Sequence, residues 1–209
     1  MEIVDVEQNS DAWKAIKAGK VSASRISDLL AGGKGLTRAA YMNDLLVERL
    51  TGEFTEGFES ADTRRGKELE PQARAAYAFV RRVEIRQVGF VLHPRIAGAG
   101  SSPDGLIGDD GGLEIKCPKA ANHLEYLDGG TLPKTYRDQI QFNISTTGRA
   151  WWDFASFHPA FPAGMDLHVR RIERDDRAIA EMETEIVRFL AELETKLAAL
   201  RARYGQEAA

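Results

Sequence analysis

The hydrophobic positions along this chain follow two periods in turn, and the places where the period changes mark its elements. Near the start, Ser22 or Ser24 can cap a short helix that runs through Leu30 and ends at Gly32-Gly33. Thr37 opens a second helix with Tyr41, Leu45 and Leu46 on one face, and Gly52 closes it. Arg64-Arg65-Gly66 leads into a third, where Leu69, Ala73, Ala76, Tyr77 and Val80 recur at helical spacing. Beyond Arg82 the period falls to two, through Val83 and Ile85 and then Val88, Phe90 and Leu92. The slip at Gln87 predicts a bulge or turn.

Short strands follow near 96–100, 104–107 and 112–116, separated by Gly and Asp turns, and Pro118 stops the last. A helix around 133–147 carries Tyr136, Ile140 and Ile144. AWWDFASFH (150–158) and MDLHVRRI (165–172) read as two strands. The end is a long amphipathic helix with Ile179, Met182, Ile186, Phe189, Leu190, Leu193, Leu197 and Leu200 on its stripe. No repeat or low-complexity linker divides the order. The expected fold is α/β or α+β, with a central mixed β-sheet flanked by helices, as one domain over 1–209.

Composition narrows the function. With 209 residues, 43% hydrophobic and 29% charged, the chain suits a globular domain with a sizeable core. Cys117 is the only cysteine, which excludes an intrachain disulfide and a Cys-ligated zinc or iron–sulfur site. A reducing cytoplasm is the expected compartment. MEIVDVEQNSD is acidic and lacks the apolar region of a signal peptide, and no apolar run approaches a bilayer span. Net charge is −4, which alone argues against wrapping a polyanion. The charge is uneven, however: Asp62 to Arg95 holds eight basic residues against four acidic ones, whereas nine acids face six bases from Glu173 onward. A local basic surface is compatible with the total.

The candidate chemistry lies in SSPDGLIGDDGGLEIKCPK, residues 101–119. If 113–117 is a strand, Glu114 and Lys116 project from one face while Leu113, Ile115 and Cys117 turn to the other. Gly111-Gly112 can make the turn that returns the Asp104 segment beside them. Asp104 and Glu114 then form a two-carboxylate pocket suited to a hard cation such as Mg²⁺, which takes one or two carboxylates with water and phosphate oxygens. The Ile115 carbonyl could add an oxygen. Lys116 beside such an ion can orient an attacking water, help remove its proton or stabilise developing phosphate charge. Metal-assisted phosphodiester hydrolysis is the implied reaction class. The bland reading is a set of Asp-Gly turns with an exposed Glu–Lys pair worth under about 1 kcal/mol.

The arrangement resembles the PD-(D/E)xK nuclease superfamily. SPDGL…GLEIKCP resembles one branch in particular, the phage lambda exonuclease and YqaJ-like alkaline exonuclease family. DAWKAIKAGKVSAS, GKELEPQAR, TYRDQIQ and a strand-then-helix ending with RIERDD fall in the same order, so the resemblance spans most of the chain. It implies a restriction-endonuclease-like core, with Asp104, Glu114 and the Ile115 carbonyl as metal ligands and Lys116 as the catalytic lysine. Glu70 matches a helix-borne acid that completes the site through a water on the metal; an i,i+4 pair with Arg74 is its alternative. Gln139 matches a polar residue near metal and substrate, with Gln141 its neighbouring competitor. Ser24 and Ser102 match hydroxyl donors of a 5′-phosphate pocket. Lys17 stands where the lambda exonuclease branch has arginine, and Arg25 could compensate.

The same resemblance implies two Mg²⁺ ions, with Mn²⁺ as a substitute. It implies 5′→3′ digestion of double-stranded DNA ends to mononucleotides, leaving a 3′ overhang for recombination. A homotrimeric ring and a single-strand annealing partner are implied too, with basic groups such as Arg64 and Arg65 lining the hole. Two other classes compete: a structure-specific or restriction-type endonuclease, and a non-catalytic DNA-end-binding protein. His93, His123, His158 and His168 lack metal-ligand spacing and read as core or surface. Trp151 and Trp152 read as strand packing rather than base stacking.

Overall fold

The computed structural model describes residues 1–31, 36–57 and 59–205. Its strands form two four-stranded sheets. The first holds β1 (Glu2–Val4), β2 (Val21–Ser22), β3 (Phe90–Leu92) and β4 (Ala99–Ser101), in the order β1-β3-β4-β2. The second runs in sequence order: β5 (Gly105–Ile107), β6 (Gly111–Lys116), β7 (Trp151–Phe157) and β8 (Leu167–Glu173). β6 and β7 are parallel, and the outer pairs are antiparallel. The expected mixed α+β architecture is present, but its strands divide between sheets where the chain passes through Ser102-Pro103-Asp104. Proline cannot donate to a ladder, so a strand is readily broken there. An isolated antiparallel bridge from Arg86 to Leu106 is all that remains of the strand expected around Val83 and Ile85.

The helices are α1 (Asp11–Lys17), α2 (Ile26–Leu30), α3 (Leu36–Thr51), α4 (Ala61–Arg81), α5 (Ala120–Leu127), α6 (Lys134–Thr147) and α7 (Asp176–Tyr204). Residues 32–35, which hold the expected Gly32-Gly33 stop, lie outside the described residues. Neither Ser22 nor Ser24 caps a helix through its side chain: a short 3₁₀ turn (Ala23–Arg25) intervenes and α2 starts after it. Ser10, Ser60 and Asp175 do the capping, each accepting from a backbone N–H three residues on. β1, α1, β2 and α5 are too short for their periodicity to register.

The second sheet is covered on both faces, and this positions the site. Trp152 and Phe154 pack with Ile140 and Ile144 of α6, Tyr126 of α5 and Ile179 of α7. On the other face Leu113, Ile115, Ala155 and Phe157 meet Ala73 and Tyr77 of α4. α5 and α6 lie in the crossover that a parallel β6–β7 pair requires. The stripe of α7, from Met182 to Leu197, is core, packed with α2, α3 and Phe142.

Gly111 and Gly112 do not form the turn. Gly108, Asp109 and Asp110 do, all exposed, with Gly108 at φ +50. The two glycines sit inside β6 because tryptophan rings lie over them. A Cβ on Gly111 would fall 2.0 Å from Trp151, and one on Gly112 2.2 Å from Trp152. Both tryptophans are therefore strand packing, as their sequence context suggests.

Candidate active site

Glu114 lies in the middle of β6 and is 1% exposed. Three donors from two elements converge on it. Lys116 Nζ donates to its Oε1 at 2.6 Å, Gln139 Nε2 donates to the same oxygen at 2.7 Å, and Asn143 Nδ2 donates to Oε2 at 3.1 Å. Strand alternation puts Glu114 and Lys116 on the α6 face, and the i,i+4 spacing of Gln139 and Asn143 brings both amides to it. Gln141 points elsewhere, to the carbonyl of Glu173 and the N–H of Asp175. Between the two glutamines, Gln139 is the one at the site. Asn143 has no signal in the sequence beyond its spacing from Gln139.

Asp104 stands just before β5, where the β5–β6 ladder ends. Its Oδ2 accepts the Ile115 N–H at 2.6 Å, replacing the strand partner that β5 no longer supplies. In a strand, N–H and C=O of one residue point to the same side. The Ile115 carbonyl is therefore directed toward the Asp104 edge. Burial, followed by the charges of Glu114 and Glu70, holds the Asp104 carboxyl well above the ordinary carboxylate range, against the opposing pull of Lys116 and the Ile115 N–H. Burial alone would lower Lys116. The Glu114 and Asp104 charges and the hydrogen bond to Glu114 outweigh it and raise the ammonium above its usual value. The Lys116 ammonium also lies 5.2 Å from the centroid of the Tyr136 ring.

The buried Glu114 beside the half-buried Asp104, with the proton affinity of Asp104 raised, marks a place where a cation belongs. Among the described residues, no three His, Cys, Asp or Glu side chains converge as a complete ligand set. The donor set is two carboxylates with the Ile115 carbonyl, which fits a hard divalent cation completed by water and phosphate oxygens. It does not fit zinc, which favours nitrogen and sulfur. A different buried acid, Asp153, offers the contrast. Its oxygens are taken by Tyr77 Oη at 2.7 Å and by Arg171 at 2.8 and 3.2 Å, so it is internally neutralised.

Glu70 lies on α4 at the rim of a cleft of about 480 Å³ shared with Lys67, Ile115, Lys116, Cys117 and Tyr136. It is paired with Arg74, whose Nε also donates to the Asp104 carbonyl at 3.2 Å. The i,i+4 pair and proximity to the site thus coexist. Pro71, next to Glu70, has no N–H for the Lys67 carbonyl, so the helical ladder is broken at this point. Arg65 does not project freely: its Nη1 donates to the carbonyls of Cys117 at 3.2 Å and Pro118 at 3.0 Å, fastening the end of the Lys116 strand. Arg64 is exposed and pairs with Glu59. Cys117 packs against the α4-face core, and burial pushes its thiol up to about 11.

Lys17 ends α1, Ser24 and Arg25 lie in the 3₁₀ turn, and Ser102 is tied to α1 through Trp13. The Trp13 indole N–H donates to Ser102 Oγ at 2.8 Å, which leaves the hydroxyl hydrogen of Ser102 available to another acceptor. Ser24 is exposed, with its Oγ 3.4 Å from Ser22 Oγ. Arg25 lies over the Tyr41 ring and pairs with Asp28 and Asp44. Two of the histidines are held inside the fold: His93 meets Ser145, and His123 meets Ser156 and the Met165 carbonyl. Among the described residues, no helix is long and apolar enough to cross a membrane.

The model of the YqaJ-like viral recombinase domain matches residues 12–150. The alkaline exonuclease LHK-Exo from Laribacter hongkongensis is 43% identical, with a TM-score of 0.89, and the match covers 95% of this chain and 100% of that one. A crystal structure of LHK-Exo in complex with dAMP matches equally well. A phage-related exonuclease from Haemophilus somnus 129PT, 15% identical with a TM-score of 0.65 over 87% of this chain and 96% of that one, shares the fold. No protein with a curated description matches the sequence. The matched span is well over half of the chain, and by that span and the identity to LHK-Exo the chain belongs to the YqaJ-like viral recombinase domain family.

Proposed function

We propose that this chain is a Mg²⁺-dependent 5′→3′ exonuclease that digests one strand from double-stranded DNA ends and leaves a 3′ overhang. The observation that carries the reading is Asp104, Glu114 and Lys116 around one strand end, with the Asp104 carboxylate on the Ile115 N–H and Lys116 on Glu114. The family and the identity to an alkaline exonuclease support hydrolysis of DNA. The complex of LHK-Exo with dAMP supports mononucleotides as the product.

Asp104, Glu114 and the Ile115 carbonyl would hold Mg²⁺, with Mn²⁺ as a substitute, and Glu70 would complete the site through water. When bound, the ion would supply charge stabilisation and a water that ionises more readily than bulk water. Lys116, held on Glu114, would orient the attacking water, help remove its proton or offset charge developing on the scissile phosphate. Gln139 fixes Glu114 and aims at the same space. Lys17, Ser24 and Ser102, with Arg25 nearby, would receive the 5′-phosphate, and the Trp13–Ser102 bond ties that group to the segment bearing Asp104. Family resemblance supports a ring-shaped homotrimer and a single-strand annealing partner.

A covalently closed plasmid tests the class of activity. An exonuclease leaves it intact until it is linearised, and then degrades it. Cutting of the closed circle would replace this reading with an endonuclease.

A further inference from the structure

Lys17 ends α1 in an unusual setting for a lysine. Its ammonium lies 4.4 Å from the centroid of the Trp13 ring and 5.1 Å from that of Phe54. Aromatic faces attract a cation but do not neutralise it. The acid whose charge reaches Lys17 is Glu48 of α3, and both its oxygens are engaged elsewhere: Oε2 accepts the Gly19 N–H at 2.6 Å and Oε1 the Thr55 N–H at 3.0 Å. The neighbouring cations have their own partners. Lys14 of α1 pairs with Glu56, Arg25 of the 3₁₀ turn with Asp28 and Asp44, and Lys67 of α4 with Glu59. Among the described residues, no carboxylate pairs with Lys17 itself.

We propose that Trp13, Phe54 and Lys17 form a proton-linked receptor for a phosphate monoester dianion, in which the ligand is the counter-ion that the caged ammonium lacks. This rests on the 5′-phosphate reading above and adds to it. Ser102, held by Trp13, supplies a hydroxyl donor beside the cage. Burial, helped by the Arg25 and Lys67 charges and opposed by Glu48, holds Lys17 down at about 8. A group lowered in this way carries its charge below that pH and loses it as pH rises through it. A dianion seated against the ammonium favours the charged form, so filling the pocket above about pH 8 takes up a proton. An arginine at this position would stay charged throughout. The preference for phosphorylated ends in this chain is therefore full near neutrality and fades in alkali.

The test uses the full chain and one blunt linear duplex, prepared with either a 5′-phosphate or a 5′-hydroxyl. The ratio of their kcat/KM values is followed from about pH 7 to about pH 10, for wild type, Lys17→Arg and Phe54→Leu. Ionisations common to both substrates cancel in the ratio. The wild-type ratio is expected to fall about tenfold over the alkaline range, while that of Lys17→Arg stays flat. In Phe54→Leu water reaches the ammonium, and the fall moves to higher pH. A wild-type ratio above one that is flat with pH overturns the proton linkage and leaves the pocket standing. A ratio of one at every pH overturns the pocket as well. An unshifted midpoint in Phe54→Leu removes Phe54 from the receptor.

Discussion

The ammonium of Lys116 lies 2.6 Å from Oε1 of Glu114, an oxygen that also accepts from Gln139 at 2.7 Å. One buried oxygen thus holds two donors, one from β6 and one from α6. Replacing Lys116 with Met keeps the length of the chain and removes the charge. The expected result is a loss of digestion by about a thousandfold or more, with duplex binding retained. Single-turnover digestion and a gel-shift titration check it. Digestion within a few fold of wild type would remove Lys116 from the chemistry.

Asn143 is fully buried, and its amide donates to Glu114 Oε2 at 3.1 Å. Asn143→Leu leaves that oxygen without a donor. It should cost about 1–3 kcal/mol of stability, less whatever the removal of a buried amide returns. Denaturant unfolding checks the figure. Adding Mg²⁺ should recover part of the loss, because an ion on Glu114 replaces the missing donor.

Arg74 joins Glu70 to the Asp104 carbonyl and so links α4 to the segment just before β5. Arg74→Ala is expected to raise the Mg²⁺ concentration for half-maximal activity by about ten- to a hundredfold, with a small change in KM for DNA. A Mn²⁺ binding titration on the free protein should weaken in parallel. An unchanged Mg²⁺ requirement would make the bridge a packing feature only.

Gly112→Ala places a methyl group 2.2 Å from the buried Trp152 ring, at the strand that carries Glu114. Overpacking there should destabilise the protein by about 1–3 kcal/mol. Gly108→Ala meets open space and carries only the strain of its φ of +50, so it should cost less. Thermal melts of the two variants should rank in that order.

The long elements were legible because their periodicity is long. α7, α4, α6 and the β7–β8 pair follow directly from the stripes and alternations that predict them. The site was legible because strand alternation alone places Glu114 and Lys116 together. What escaped the sequence depends on tertiary context. Glycines at 111 and 112 look like a turn unless the tryptophans of β7 are already stacked over them. Pro103 reads as a turn, but its effect is to end one sheet and begin another. Arg65 looks like a free basic group until the carbonyls of Cys117 and Pro118 arrive beside it. Asn143 carries no local signal because its role exists only once α6 lies across β6.

Digestion of a linear duplex labelled at a single 5′ or 3′ end, with and without Mg²⁺, tests the central claim most directly. With Mg²⁺, the 5′ label should appear at once as a mononucleotide, while the 3′ label of the same strand stays on fragments that shorten steadily. Chelation should stop both. Early release of the 3′ label, or digestion that continues in chelator, would contradict the account.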